Sequence, residues 1–303
     1  MGRMRALIEN NFGLVLLLSC VVGLAAPIMS SLPDESASVA LAMLTYASCF
    51  KLRDGGISNI HWRRILLFYG LRYMILPLAL FGIAQIIVPH YALGIYLLAL
   101  VPAAVSTPAF SQLFGGSVPP AFAIVIIGTL LAPIMIPLQF SLFADQAVAP
   151  SPAPLFKTLA FCIFTPMVIY AVTKHIKKLH HTMYSNGKAI SIILVAFVIA
   201  LVVGKQREVI LSDVSALIVP LVCTFFLNIV FMAFGFWFGR KSVRDEQITY
   251  ATCSGFSNVA LGVSLALLHF PAPVILLVAV SEIAWAMLPM MMKCALKTRL
   301  RRR

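Results

Sequence analysis

The chain of 303 residues is 61% hydrophobic and only 11% charged, against roughly 45–50% apolar and 25% charged in soluble domains, which excludes an ordinary soluble fold. Its net charge of +13 falls in short clusters between apolar runs rather than on one polar domain, so it marks membrane topology and argues against a nucleic-acid site. The six cysteines lie within or at the ends of apolar runs without CxxC spacing, which leaves neither a disulfide framework nor a metal site.

A membrane span needs about 20 apolar residues, and on that basis the sequence predicts ten helices, at 12–30, 35–51, 65–88, 91–114, 119–143, 155–173, 187–204, 213–239, 248–270 and 272–293. The first apolar run, behind Arg3 and Arg5, has the outline of a signal peptide. It is nevertheless long enough to span and lacks a small-residue cleavage site, so a retained first helix is expected. Tyr73 to Ala144 carries no Asp, Glu, Lys or Arg and is cut into helices at Val88-Pro89-His90 and at Gly115 to Pro120.

Twenty of the 23 Lys and Arg then fall on one side: Arg3, Arg5, Lys51, Arg53, Arg63, Arg64, Arg72, Lys174, Lys177, Lys178, Lys188, Arg240, Lys241, Arg244 and six from Lys293 to Arg303. Lys157, Lys205 and Arg207 remain on the other. This asymmetry predicts an even number of spans with both termini cytoplasmic, in a cell inner membrane.

Two spans break their own hydrophobicity. In the ninth, Thr252, Cys253, Ser254, Gly255, Ser257 and Asn258 crowd into about two turns; in the fourth, Pro102 opens a weak stretch with Ser106, Thr107 and Pro108 at its middle. Lipid offers no partner to a freed backbone group, so a broken helix survives at membrane depth only where protein or a polar cavity supplies one. Two broken helices five apart in the count point to a secondary transporter built from two inverted five-helix repeats, 1–150 and 151–303, whose broken helices cross near the midplane.

With those segments in view, the chain resembles the bile acid:sodium symporter family of ten-helix organic-anion transporters. The family's ninth-helix pattern, Glu-x-Gly-x-Gln-Asn-x-x-Leu, is matched here at Gly255, Asn258 and Leu261; its fourth-helix pattern, Pro-Gly-Gly-x-Ser-Ser-Asn, stands against Pro102 to Pro108 and is matched at Ser106 and conservatively at Thr107. The resemblance implies alternating access by an all-α protein, with helices 1, 2, 6 and 7 as a panel and 3–5 and 8–10 as a core, moving a bile-acid-like or other carboxylate. It also implies sodium ligands at the family's Glu, Gln and Asn positions, which here hold Cys253, Ser257 and Pro108. Sodium prefers oxygen ligands with a carboxylate among them, so this chain resembles a divergent member in which sodium coupling is doubtful. The auxin efflux carriers have a similar crossing, and a ligand sensor on a transporter fold is a further alternative.

Ser106, Thr107, Pro108, Ser257 and Asn258 are the candidate substrate residues; the bland reading of the polar ones is interhelical glue or back-bonding near a proline. Glu282, Cys253 and Ser254 are the candidate coupling residues. Glu282 is the one carboxylate deep inside a predicted span, and an intramembrane ionisable group is functional by default. It could carry a coupling proton, or form a buried pair with Arg72. The sequence lacks GxxxxGK[ST], HExxH and GxSxG, so neither an ATP-driven pump nor a membrane-embedded hydrolase is indicated and no cofactor is expected. The expected partners are a small organic anion and the lipid bilayer.

Overall fold

The computed structural model describes residues 7, 11–50, 60–144, 150–212 and 214–300. Arg3, Arg5, Lys51, Arg53 and Arg301 to Arg303, used above for topology, lie outside the described residues, as do residues 145–149 at the expected junction of the repeats. The described chain is helical throughout. Its main helices are α1 (Phe12–Ala25), α2 (Glu35–Cys49), α3 (Trp62–Ile87), α4 (Ala92–Leu100), α5 (Thr107–Leu113), α6 (Val118–Phe143), α7 (Pro152–Thr173), α8 (Lys177–Lys205), α9 (Ile218–Phe238), α10 (Arg244–Gly255), α11 (Val259–His269) and α12 (Ala272–Leu300).

Among the described residues, five stretches are individually long and apolar enough to cross a membrane: α3, α6, α7, Ser215–Lys241 around α9, and Ala272–Lys297 within α12. The α8 helix, bent by 63° between Lys177–Gly187 and Ala189–Lys205, makes a sixth if taken as one span. This is a polytopic membrane protein. The other predicted spans hold the shorter α1 and α2, of 14 and 15 residues, and the two broken pairs α4/α5 and α10/α11. One difference from the sequence reading is that the basic segment expected as a loop at Lys174 to Lys188 is mostly helical. Its Lys, His and Met residues tolerate helix, and the bend falls at Gly187, the poorest helix former in the segment.

Two packing groups recur. The α8 helix runs along α1 and α2, and α7 packs on α2; α9 packs on α10 and α12, α4 on α3 and α12, and α5 on α6 and α10, and the two groups meet where α7 packs on α6 and α11 on α2. The two halves of the second broken helix are enclosed over most of their length. Every residue from Ile248 to Gly255 in α10 and from Val259 to Leu267 in α11 is buried, as expected where a helix is covered on all sides. Gly235 sets the closest approach: a Cβ there would run into Tyr250 O and Ala251 Cα, so only glycine lets α9 lie this near α10. At one end of the bundle Arg64 Nη1 pairs with Glu246 Oε2 at 3.0 Å. Elsewhere Lys205, an exception to the charge asymmetry, pairs with Asp34 at 2.7 Å.

Candidate functional site

The two breaks meet each other. Val101, ahead of Pro102, takes an extended backbone (φ −62°, ψ 135°), as steric conflict with the proline ring requires, and α4 stops at Leu100. The α10 helix stops at Gly255, and Ala103 then forms an antiparallel bridge with Ser257. Ala104 N–H donates to Phe256 O at 2.8 Å, and Asn258 N–H donates to Pro102 O at 2.7 Å. Thr107 Oγ1 donates to Phe256 O at 3.2 Å. Each break thus supplies the partner that lipid could not offer the other.

The carbonyl ends of the half-helices converge on α3. Arg72, completely buried, donates from Nη1 to Ala99 O at 2.8 Å, from Nη2 to Ser254 O at 3.0 Å, and from Nε to Ser254 O and Oγ at 3.2 and 3.0 Å. Its second Nη2 contact, to Ser257 Oγ, is long at 3.5 Å. The guanidinium carbon lies 3.8 Å from the centre of the Phe231 ring and 4.7 Å from that of Tyr73, so aromatic faces replace part of its lost hydration. Tyr73 Oη donates to Cys253 O at 3.0 Å. Arg72 and Tyr73 lie in a π-helical segment, Leu71–Ile75. Pro77 has no N–H for Tyr73 O, and Gln139 Nε2 donates there instead at 2.7 Å. No carboxylate lies within ion-pairing distance of Arg72 among the described residues, so the Glu282–Arg72 pair allowed by the sequence is not formed. The helix ends supply the negative potential in its place.

The opposite side of the crossing, where α5 and α11 begin, is more open. Ser106 is exposed and Asn258 half-buried. Asn258 Oδ1 accepts from Leu261 N–H at 3.2 Å, which makes the residue the N-cap of α11 and leaves its amide NH2 as the part able to donate elsewhere. Val105, beside Ser106, lines a cavity of about 50 Å³ with Thr45, Cys49, Val125, Thr129 and Met167, between α2, α6 and α7. That volume holds one or two waters. Phe256 packs between Phe110, at 4.6 Å, and Trp285, at 6.1 Å, and forms the apolar floor of the crossing.

The structure therefore brings Ser106, Thr107, Pro108, Cys253, Ser254, Ser257 and Asn258 to one crossing. Thr107, Cys253 and Ser254 are fully buried, with the two hydroxyls and the Cys253 carbonyl engaged in the contacts above. Glu282 is 6% exposed in α12 and within electrostatic reach of Cys20 in α1, apart from the Arg72 cluster. Tyr73, Gln139 and Phe256 are members the sequence reading missed. One signal was present: Pro77 stands four residues after Tyr73, which marks a carbonyl in need of a side-chain donor.

A helical membrane protein whose two broken helices pair at a crossing has the architecture of a secondary transporter. The profile of the Sodium Bile acid symporter family matches residues 38–213, more than half of the chain, and the chain belongs to that family of membrane transporters. It is 24% identical over 272 residues to a Bacillus subtilis (strain 168) protein described as the uncharacterized sodium-dependent transporter YocS, covering 86% of this chain and 83% of that one. Against the probable sodium/metabolite cotransporter BASS1, chloroplastic, of Arabidopsis thaliana it is 25% identical over 208 residues, covering 67% of this chain and 51% of the relative. Against BASS2, chloroplastic, of Oryza sativa subsp. japonica the identity is 25% over 209 residues, with 67% and 49% covered. The chain thus spans about half the length of these plant relatives.

Proposed function

We propose that the protein moves a small organic anion, a bile-acid-like or other carboxylate, across a cell inner membrane by alternating access, with the substrate bound on the open side of the crossing. The observation that carries this reading is the pairing of the two breaks through Ala104 N–H to Phe256 O and Asn258 N–H to Pro102 O. It sets the start of α11, with the half-buried Asn258 as its cap, on the open side of the crossing, where the positive end of the helix dipole favours negative charge. Ser106 and the Asn258 amide are the direct donors; Thr107, Pro108 and Ser257 shape the seat.

The same reading has ten spans in two inverted repeats, 1–150 and 151–303, with both termini cytoplasmic. Its panel is α1, α2, α7 and α8, and its core carries the crossing; the two packing groups support the division. Opposite sidedness of labelling at Ser36→Cys and Ser242→Cys, in a background without native cysteines, is expected, and labelling from the same side would remove the ten-span count.

The relatives' names include sodium, and family membership by itself favours sodium coupling. The residues at the crossing support it least, because Cys253, Ser257 and Pro108 offer no carboxylate and no amide oxygen. Transport is either uniport or coupled to protons through Glu282, with Cys253 and Ser254 inside the moving core.

The test is exchange of labelled organic anions in proteoliposomes. Saturable exchange, competed by carboxylates and not by their neutral amides, is expected, and Glu282→Gln should abolish any response to a pH gradient while leaving exchange intact. Absence of exchange across the carboxylate panel would overturn the substrate class.

A further inference from the structure

The half-helices α4 and α10 end with their carbonyls facing one point. Each helix C-terminus carries the equivalent of about −0.5 charge, so two of them together match one monovalent cation. Half-helix ends and unwound carbonyls of this kind hold the coupling cation in secondary transporters with broken helices. Here the oxygens that converge are Ala99 O, Ser254 O, Ser254 Oγ and Ser257 Oγ, and what they hold is the guanidinium of Arg72, at 2.8 to 3.5 Å. All four are neutral oxygens of the sort a hard cation takes. The side chain that reaches them is wholly buried, and no carboxylate faces it among the described residues. An arginine stays protonated throughout the physiological range, and it cannot dissociate.

We propose that Arg72 is a tethered cation occupying the seat that the crossing offers to an exchangeable one, so that the core is held together, and cycles, without sodium at this position. The proposal rests on reading the crossing as the transport site, but its test needs no substrate, so the two can fail separately. It also fits the absence of a carboxylate at the neighbouring position 253. With a fixed positive charge already present, two helix ends suffice to balance it, and Cys253 packs its thiol 4.0 Å from Ala121 O with no charge to place.

The experiment is thermal unfolding of the purified full chain in detergent, titrated with sodium chloride against choline chloride at equal ionic strength. Wild type and Arg72→Lys, which keeps the positive charge, should show no sodium-specific shift of the midpoint. Arg72→Gln, with the seat vacated, should unfold several degrees lower in choline and recover with sodium in a saturable way.

A saturable sodium-specific rise in wild type would overturn the proposal, because a guanidinium and a sodium ion cannot share the same oxygens. So would an Arg72→Gln protein that folds and ignores sodium, since Arg72 would then be a structural tie only. If Arg72→Gln gives no folded protein, the wild-type titration decides alone.

Discussion

The two sides of the crossing are built from the same breaks and differ in what happens to their freed groups. On the side where α4 and α10 end, Ala99 O, Cys253 O and Ser254 O each have a donor from α3. On the side where α5 and α11 begin, Ser106 is exposed and Asn258 only half-buried. The first side sets the geometry and the second is available for recognition. The difference teaches how a broken helix can be both stable and functional: one set of helix ends is tied to a neighbouring helix so that the other can remain open.

Substitutions on the tied side should act on stability, and the largest effect is expected at Arg72. Arg72→Met would leave Ala99 O and Ser254 O buried without donors, each worth about 1–3 kcal/mol, and the drop in unfolding midpoint should exceed that of every other single change named here. Gly235→Ala should come next. The added Cβ pushes α9 off α10 and carries Phe231 away from Arg72, an overpacking cost of about 1–3 kcal/mol. Tyr73→Phe removes the donor to Cys253 O and should cost about 1–2 kcal/mol in the same assay. If Tyr73→Phe unfolds at the wild-type midpoint while exchange falls, the division of labour between the sides is wrong.

How much of this was readable in advance depends on which chemistry the sequence exposes. The breaks were legible because Pro102 forces an extended residue before it, and because a cluster such as Thr252 to Asn258 cannot sit in lipid without partners. Asn258 ahead of an apolar run also carried the signal of an N-cap, which the substrate-binding reading passed over. The role of Arg72 was not legible. A buried arginine suggests a carboxylate partner, and Glu282 was the available one. The groups that hold it are backbone carbonyls, which every residue has and which become acceptors only where two particular helices end side by side. The order of α1 and α2 against α8 was likewise hidden, since their apolar faces carry little to say which neighbour covers them.

Ser106 and Thr107 are adjacent hydroxyls at the start of α5, the first exposed and the second buried against Phe256 O, and measuring both variants for stability and for affinity toward one organic anion tests the account most directly. Ser106→Ala should unfold within about 0.5 kcal/mol of wild type and bind roughly ten- to a hundred-fold more weakly, the loss of a hydrogen bond to a charged ligand. Thr107→Ala, which loses the bond to Phe256 O, should be less stable by about 1 kcal/mol and lose clearly less affinity than Ser106→Ala. The reverse pattern, with affinity lost at Thr107 and kept at Ser106, would contradict the assignment of the open side as the substrate site.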